Sequence, residues 1–236
     1  MSSSPDPSPS LTANPQLREW LDLSVDGVVT IRPGKVEYGQ GVWTALAQIA
    51  AEELDVALDQ VRVAGVSTTS SPDEGVTSGS RSIQDSGGAL RQVCAQVRAA
   101  FLAEAAEKLD TDAAGLTVRR GLASTGLAST GTSQAGLSYW SLDEAALLDR
   151  AAQLTAAPKP PGQWSVAGRS APRIDLPDKA TGRPRFLHDL VLPGMLFGRV
   201  IRPPAPAATL DGVGETDLPA WLVVHAPDGS FLGAIA

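Results

Sequence analysis

Residues 35–46 read Lys35-Val36-Glu37-Tyr38-Gly39-Gln40-Gly41-Val42-Trp43-Thr44-Ala45-Leu46. A short alternating pattern runs into Gly39-Gln40-Gly41, and a helical pattern begins directly behind it. Two glycines allow the backbone to approach a ligand closely. The helix N-terminus behind them carries unpaired N–H groups and the positive end of the dipole, a combination that suits a phosphate or another anion. Gln40 adds a neutral donor and acceptor between the glycines. As a bare pattern, Gly-x-Gly before a helix equally describes a tight strand-to-helix turn.

Working outward, Leu21, Leu23 and Val25 alternate with polar residues, Asp26-Gly27 makes a turn, and Val28 to Ile31 resumes the pattern, which predicts a hairpin. Lys35 to Tyr38 predicts a third strand. Val42, Leu46, Ile49, Ala50 and Leu54 fall at helical spacing, with Glu52, Glu53 and Asp55 at the end. Gln60 to Val63 is a short apolar strand. Residues 67–82 are almost all Ser, Thr, Gly and Pro, a length that marks a functional or disordered loop. A second helix follows Ser86-Gly87-Gly88, with Leu90, Val93, Cys94, Val97, Phe101, Ala105 and Leu109 on one face.

Thr117 to Arg119 reads as a strand. Residues 121–130 repeat Gly-Leu-Ala-Ser-Thr twice, too short for a stacking repeat. Ser141-Leu142-Asp143-Glu144 predicts a capping box opening a short helix through Leu148. Residues 157–162, Ala-Pro-Lys-Pro-Pro-Gly, form a stiff linker. Beyond it, 187–191 with 195–201, and 222–225 with 231–235, predict two hairpins. The last six residues, Phe231 to Ala236, form an apolar strand pattern that calls for completion by another chain, or marks a truncated product.

Composition narrows the function. The 236 residues are 43% hydrophobic, enough for one sizeable core or two small ones, and carry a net charge of −7. Nucleic acid and anionic membranes select for basic patches, so both are disfavoured as partners. The single cysteine, Cys94, precludes an internal disulfide and a cysteine-rich zinc or iron–sulfur site, and fits a reducing compartment. No apolar run reaches membrane-spanning length. Met1 to Pro15, rich in Ser and Pro, lacks signal-peptide order and predicts a disordered tail on a cytoplasmic protein. His188 and His225 lack metal-ligand spacing. Ser78-Gly79-Ser80-Arg81-Ser82 does not form the Gly-x-Ser-x-Gly elbow of a hydrolase.

Residues 35–46, then Gln48-Ile49-Ala50-Ala51-Glu52-Glu53-Leu54, then Thr77-Ser78-Gly79-Ser80-Arg81-Ser82 resemble the molybdopterin-binding subunit of the xanthine dehydrogenase family, in its isoquinoline 1-oxidoreductase and nicotinate dehydrogenase branch. Residues 176–183 and 189–196 resemble the start of the α/β hammerhead domain that follows in that branch. The resemblance covers about residues 20–236 and implies an α+β fold: a mixed sheet–helix molybdopterin-binding segment over 17–156, a linker over 157–172, and a partial hammerhead domain over 173–236, behind a tail of 1–16.

It further implies part of a molybdenum hydroxylase, an enzyme that hydroxylates an N-heterocycle or aldehyde with water as the oxygen source. Gly39, Gln40 and Gly41 would contact the molybdopterin, with Gln40 near the metal's oxo ligand or the cofactor phosphates, and Gly79, Ser80 and Arg81 would line a second cofactor loop. The cofactor would be Mo-molybdopterin, its cytosine dinucleotide form included. Iron–sulfur clusters and FAD would sit only on partner chains. The implied partners are the remaining molybdopterin-binding segment, an iron–sulfur subunit and a FAD subunit, in a cytoplasmic hetero-oligomer acting on a small-molecule substrate.

The chain departs from that family in lacking the Gly-Gly-x-Phe-Gly-type loop and the C-terminal Gly-Glu segment that supplies the catalytic base. No catalytic residue is therefore assigned, and Glu37 reads as a structural carboxylate. Two other readings stay open on the residues: a truncated, non-catalytic remnant, or a stand-alone module that binds an ordinary nucleotide or another anion at the glycine loop.

Overall fold

The computed structural model describes residues 8–125, 136–184, 186–195, 200–201, 205–206, 208, 222–225 and 231–235. They fall into two compact units, 1–180 and 181–236. The architecture is α+β, as the resemblance implies.

In the first unit, α3 (Val42–Leu54) and α4 (Gly88–Lys108) pack against each other and form the centre. Val42, Leu46, Ala50 and Leu54 are buried along one face of α3, and Leu90, Val93, Cys94, Val97, Phe101 and Ala105 along α4. This is the helical stripe that the sequence announces. A mixed sheet lies beside them. β1 (Leu21–Asp22) pairs antiparallel with β2 (Val29–Ile31), and β2 pairs in parallel with β3 (Val61–Val63). A parallel pair requires a crossover, which α3 supplies. The predicted hairpin and the strand before residue 63 are therefore both present.

An antiparallel sheet joins β4 (Thr117–Arg119), β5 (Leu122–Ser124) and β6 (Leu137–Ser138). Arg120 and Gly121 both have positive φ (50° and 76°), so a two-residue mirror-image turn links β4 to β5. The first pentapeptide copy makes this turn and β5; the second, 126–130, lies outside the described residues. Phe101 stacks on Tyr139 at 3.9 Å, and the Tyr139 hydroxyl donates to the Leu54 carbonyl, so this sheet is keyed to both helices.

Four expectations are corrected. Residues 8–16 are not part of a disordered tail. Helix α1 (Pro9–Ala13) packs on α4 through Leu11, and the Ser8 N–H donates to Gln92 Oε1. α2 (Leu17–Trp20) follows, with Trp20 buried. Residues 35–38 form an extended loop rather than a strand, because side chains take up their backbone groups: Thr77 Oγ1 accepts from the Val36 N–H, and Trp43 Nε1 donates to the Lys35 carbonyl. The short helix α5 (Glu144–Leu148) is capped by Asp143, not Ser141. Ser141 instead pairs with Ser138, and Glu144 reaches across to the Leu23 N–H.

In the second unit, β7 (Val200–Ile201) and β8 (Leu222–His225) flank β9 (Phe231–Ile235), all antiparallel. The β8–β9 hairpin matches the sequence. The fourth correction concerns 187–191: Leu187–Asp189 is one helical turn, with the Asp189 carboxylate accepting from the Phe186 N–H. Residues 196–199 of the strand expected opposite it lie outside the described residues. α6 (Leu176–Thr181) covers the last residues of the first unit and runs one residue past its limit. Among the described residues no helix is long and apolar enough to cross a membrane.

Cys94 is fully buried; burial, and then the nearby Glu53 charge, push its thiol well above its ordinary pKa. Only the thiolate reacts. Native protein should therefore resist iodoacetamide at pH 8 under conditions that label the unfolded chain completely. Intact mass spectrometry reads the difference, and rapid labelling of native protein would contradict the burial.

Candidate functional site

The glycine loop has the backbone its sequence requires. Gly39 and Gly41 have φ of 119° and 79°, and Gly41 caps α3. Residues with a Cβ rarely adopt such values. Crowding by the chain itself is not the reason for glycine here, since a Cβ at Gly39 would meet no protein atom within 4 Å.

The anion-accepting end of α3 is partly filled from within the chain. Glu37 Oε1 accepts from the Gly39 and Gly41 N–H groups at 2.8 and 3.0 Å, and Oε2 accepts from Trp43 at 3.2 Å. Burial raises the Glu37 pKa, but the three N–H groups outweigh it and hold the carboxyl below its ordinary value. Glu37 thus leaves only part of this end for a phosphate, which narrows the sequence argument. The Gln40 and Val42 N–H groups are the ones Glu37 does not take. Gln40 is exposed, with its amide folded onto its own loop: Oε1 accepts from the Tyr38 N–H and Nε2 donates to the Val36 carbonyl, both at 2.8 Å.

The second loop lies alongside. The Gly34 N–H donates to Glu74 Oε2, buried Lys35 Nζ donates to the Glu74 and Val76 carbonyls, and Val36 bonds Thr77. Residues 34–38 and 74–77 are thereby zipped together. The chain then turns through Gly79 and Ser80, both left-handed (φ 65° and 57°). A left-handed serine is uncommon and costs energy that surrounding structure must supply. Gly79, Ser80 and Arg81 are exposed, and Arg81 pairs with Asp85 at 3.2 Å. A π-turn over Ile83–Gly87 leads into α4, a feature often found at functional sites.

Sequence reasoning missed the groups that set these loops. Residues 173–175 lie against the glycine loop. The Arg173 guanidinium donates to the Gly39 carbonyl (2.8 Å), to Glu37 (3.4 Å) and to both oxygens of Asp175 (3.0 and 2.8 Å). Those hydrogen bonds hold the Asp175 carboxyl far below the usual carboxylate range despite its burial, and Lys179 adds to the effect. The i, i+4 spacing of Asp175 and Lys179 is legible in the sequence; the contact with a loop 134 residues earlier is not.

Behind the loops, a cleft of about 400 Å³ opens between α3, the start of α4 and residues 164–168. Glu52 and Glu53 hold its far wall. Glu52 Oε2 accepts from the N–H groups of Ser165, Val166 and Ala167, and Glu53 pairs with Arg91, whose guanidinium lies 5.2 Å over the Trp164 ring. The charged groups lining it are paired within the chain, and its walls are otherwise largely apolar.

The structure therefore brings Gly39, Gln40 and Gly41 beside the stretch that leads into Gly79, Ser80 and Arg81. The exposed hydroxyls, the guanidinium and the remaining backbone N–H groups suit a large, polar, anionic ligand. Among the described residues no cluster of His, Cys, Asp or Glu could hold a metal by itself.

Comparison with known proteins gives that chemistry a family. Residues 4–165 match the molybdopterin cofactor-binding domain. A nicotinate dehydrogenase subunit of Pseudomonas putida is 39% identical over 194 residues, covering 80% of this chain and 15% of that protein. The membrane-bound aldehyde dehydrogenase [pyrroloquinoline-quinone] of Gluconacetobacter polyoxogenes is 29% identical over 186 residues, 78% of this chain and 24% of that one. The isoquinoline 1-oxidoreductase β-subunit of Brevundimonas diminuta is 29% identical over 248 residues, 89% of this chain and 32% of that one. The chain thus spans a third or less of the length of these relatives. With more than half of its residues inside the family match, the chain belongs to the molybdopterin cofactor-binding domains of the molybdenum hydroxylase family.

Proposed function

We propose that this chain holds one side of a molybdopterin cofactor through Gly39, Gln40, Gly41 and Gly79, Ser80, Arg81. The observation that carries the reading is the zipper between residues 34–38 and 74–77, which sets two loops with left-handed residues side by side. In this reading the Gln40 and Val42 N–H groups, the Ser80 hydroxyl and the Arg81 guanidinium meet the anionic parts of the cofactor, and the glycines keep side-chain bulk out of the way. When bound, the molybdenum centre supplies hydroxylation of an N-heterocycle or aldehyde carbon with oxygen from water. Glu37 is committed to the backbone of its own loop, so the proton acceptor for that reaction belongs to other residues of the complex. Iron–sulfur and FAD subunits would carry the electrons away, in a cytoplasmic assembly.

Purifying the chain with its natural partners tests this. We expect stoichiometric molybdenum and a pterin that fluoresces after oxidative release. Mass analysis of the released cofactor shows whether it carries a cytosine nucleotide. A complex with neither metal nor pterin overturns the reading, and a bound ordinary nucleotide would replace it. Gln40→Ala should lower the pterin content several-fold, since the loop loses the two hydrogen bonds that brace its tip, each worth about 1 kcal/mol. Unchanged pterin and an unchanged rate would exclude Gln40 from the site.

A further inference from the structure

We propose that Arg173 is a positioning residue that bolts the glycine loop into its ligand-accepting shape before any ligand arrives; this rests on the reading that the loop holds molybdopterin. Two glycines with positive φ bring no side chains to the loop, which leaves Gln40 and Glu37 as its own braces. A later segment adds the group that ties these braces to the body of the unit. One guanidinium serves three acceptors at once: the Gly39 carbonyl at the loop's tip, the Glu37 carboxylate that gathers the Gly39, Gly41 and Trp43 N–H groups, and Asp175. Asp175 is 1% exposed and is also held by Lys179 at 2.5 Å. The same segment is fastened to the first turn of α3 by the Ile174 N–H, which donates to Thr44 Oγ1 at 3.1 Å.

The charges fit this arrangement. Glu37 and Asp175 are both buried carboxylates, with side chains 4% and 2% exposed, and Arg173 stands between them as their shared counter-ion. Only a planar fork with several donors can serve all three acceptors in one geometry; a lysine ammonium offers a point charge. A loop held in its bound shape spends less binding energy on ordering. Arg173 therefore acts on the cofactor through the loop.

Hydrogen exchange on the full chain in its complex, prepared free of cofactor, tests the bolt. In Arg173→Gln the Gly39, Gly41 and Trp43 amides should exchange about tenfold faster or more, with α4 amides unchanged. Glu37→Gln should do the same, and the double variant should add little, because both remove one device. Loaded complexes of either variant should lose pterin faster on dilution. If Arg173→Gln does not fold, Arg173→Lys, which keeps the charge and loses the fork, is read the same way. Unchanged loop exchange in a folded variant overturns the proposal. The exchange measurement needs no cofactor, so its failure is separable from that of the functional reading: an unaltered complex without pterin would remove the reading and leave the bolt standing.

Discussion

Gly34→Ala is expected to lower stability by about 3 kcal/mol and to cost the complex most of its bound pterin. Gly34 has an ordinary backbone conformation, so the effect is steric. A Cβ there would sit 2.2 Å from the Pro72 carbonyl oxygen and 2.9 Å from Glu74 Cγ. The carbonyl belongs to the backbone and cannot rotate away as a side chain could. The Gly34 N–H also donates to Glu74 Oε2, which in turn accepts from the Ser86 hydroxyl in the π-turn before α4. Relieving the clash means moving 72–77 away from 33–38. That movement would break the Lys35 and Thr77 bonds and carry the second loop off the first. Chemical denaturation and pterin analysis read the two effects. A variant with wild-type stability and cofactor would show that the close approach of these loops is dispensable.

Glu52→Ala should cost about 3 kcal/mol, because hydrogen bonds to a buried charge are worth more than neutral ones and the orphaned donors keep their desolvation penalty. Three consecutive N–H groups, Ser165 to Ala167, converge on one Glu52 oxygen. Removing it leaves them without an acceptor and frees the strap that runs toward Arg173. The effect depends on pH in a defined sense. Burial raises the Glu52 pKa, but those N–H groups and Lys159 outweigh it and hold the carboxyl below its ordinary 4.5. A group whose folded pKa is depressed contributes its stability above the unfolded value and loses it as pH falls toward the folded one. The wild-type chain should therefore lose the Glu52 contribution below about pH 4.5, and Glu52→Ala should show a flatter acid limb. Identical pH profiles would mean that Glu52 does not carry the strap.

Much of this fold is legible because its elements obey local periodicities. The stripes Val42-Leu46-Ala50-Leu54 and Leu90-Val93-Cys94-Val97 announce α3 and α4, and Asp26-Gly27 between alternating runs announces the β1–β2 hairpin. Errors arise where side chains replace the expected partners. Lys35 to Tyr38 alternates like a strand, but Thr77, Trp43 and Gln40 satisfy its backbone, so no ladder forms. The Ser141 pattern looks like a cap until Glu144 proves committed to Leu23, more than 100 residues away. Residues 8–16 have the composition of a tail, yet Leu11 and Asn14 find burial and partners on distant segments.

By itself, the sequence determined α3 and α4, the β1–β2 and β8–β9 pairings and the family, and it picked out the two candidate loops. Each of these rests on spacing within a dozen residues or on motifs in order. Only the tertiary structure decided that the helix behind Gly41 is capped by Glu37, that Lys35 and Thr77 zip the loops together, and that Arg173 holds the tip. The physical reason is that hydrogen bonds and ion pairs act over about 3 Å in space and carry no trace of their separation along the chain.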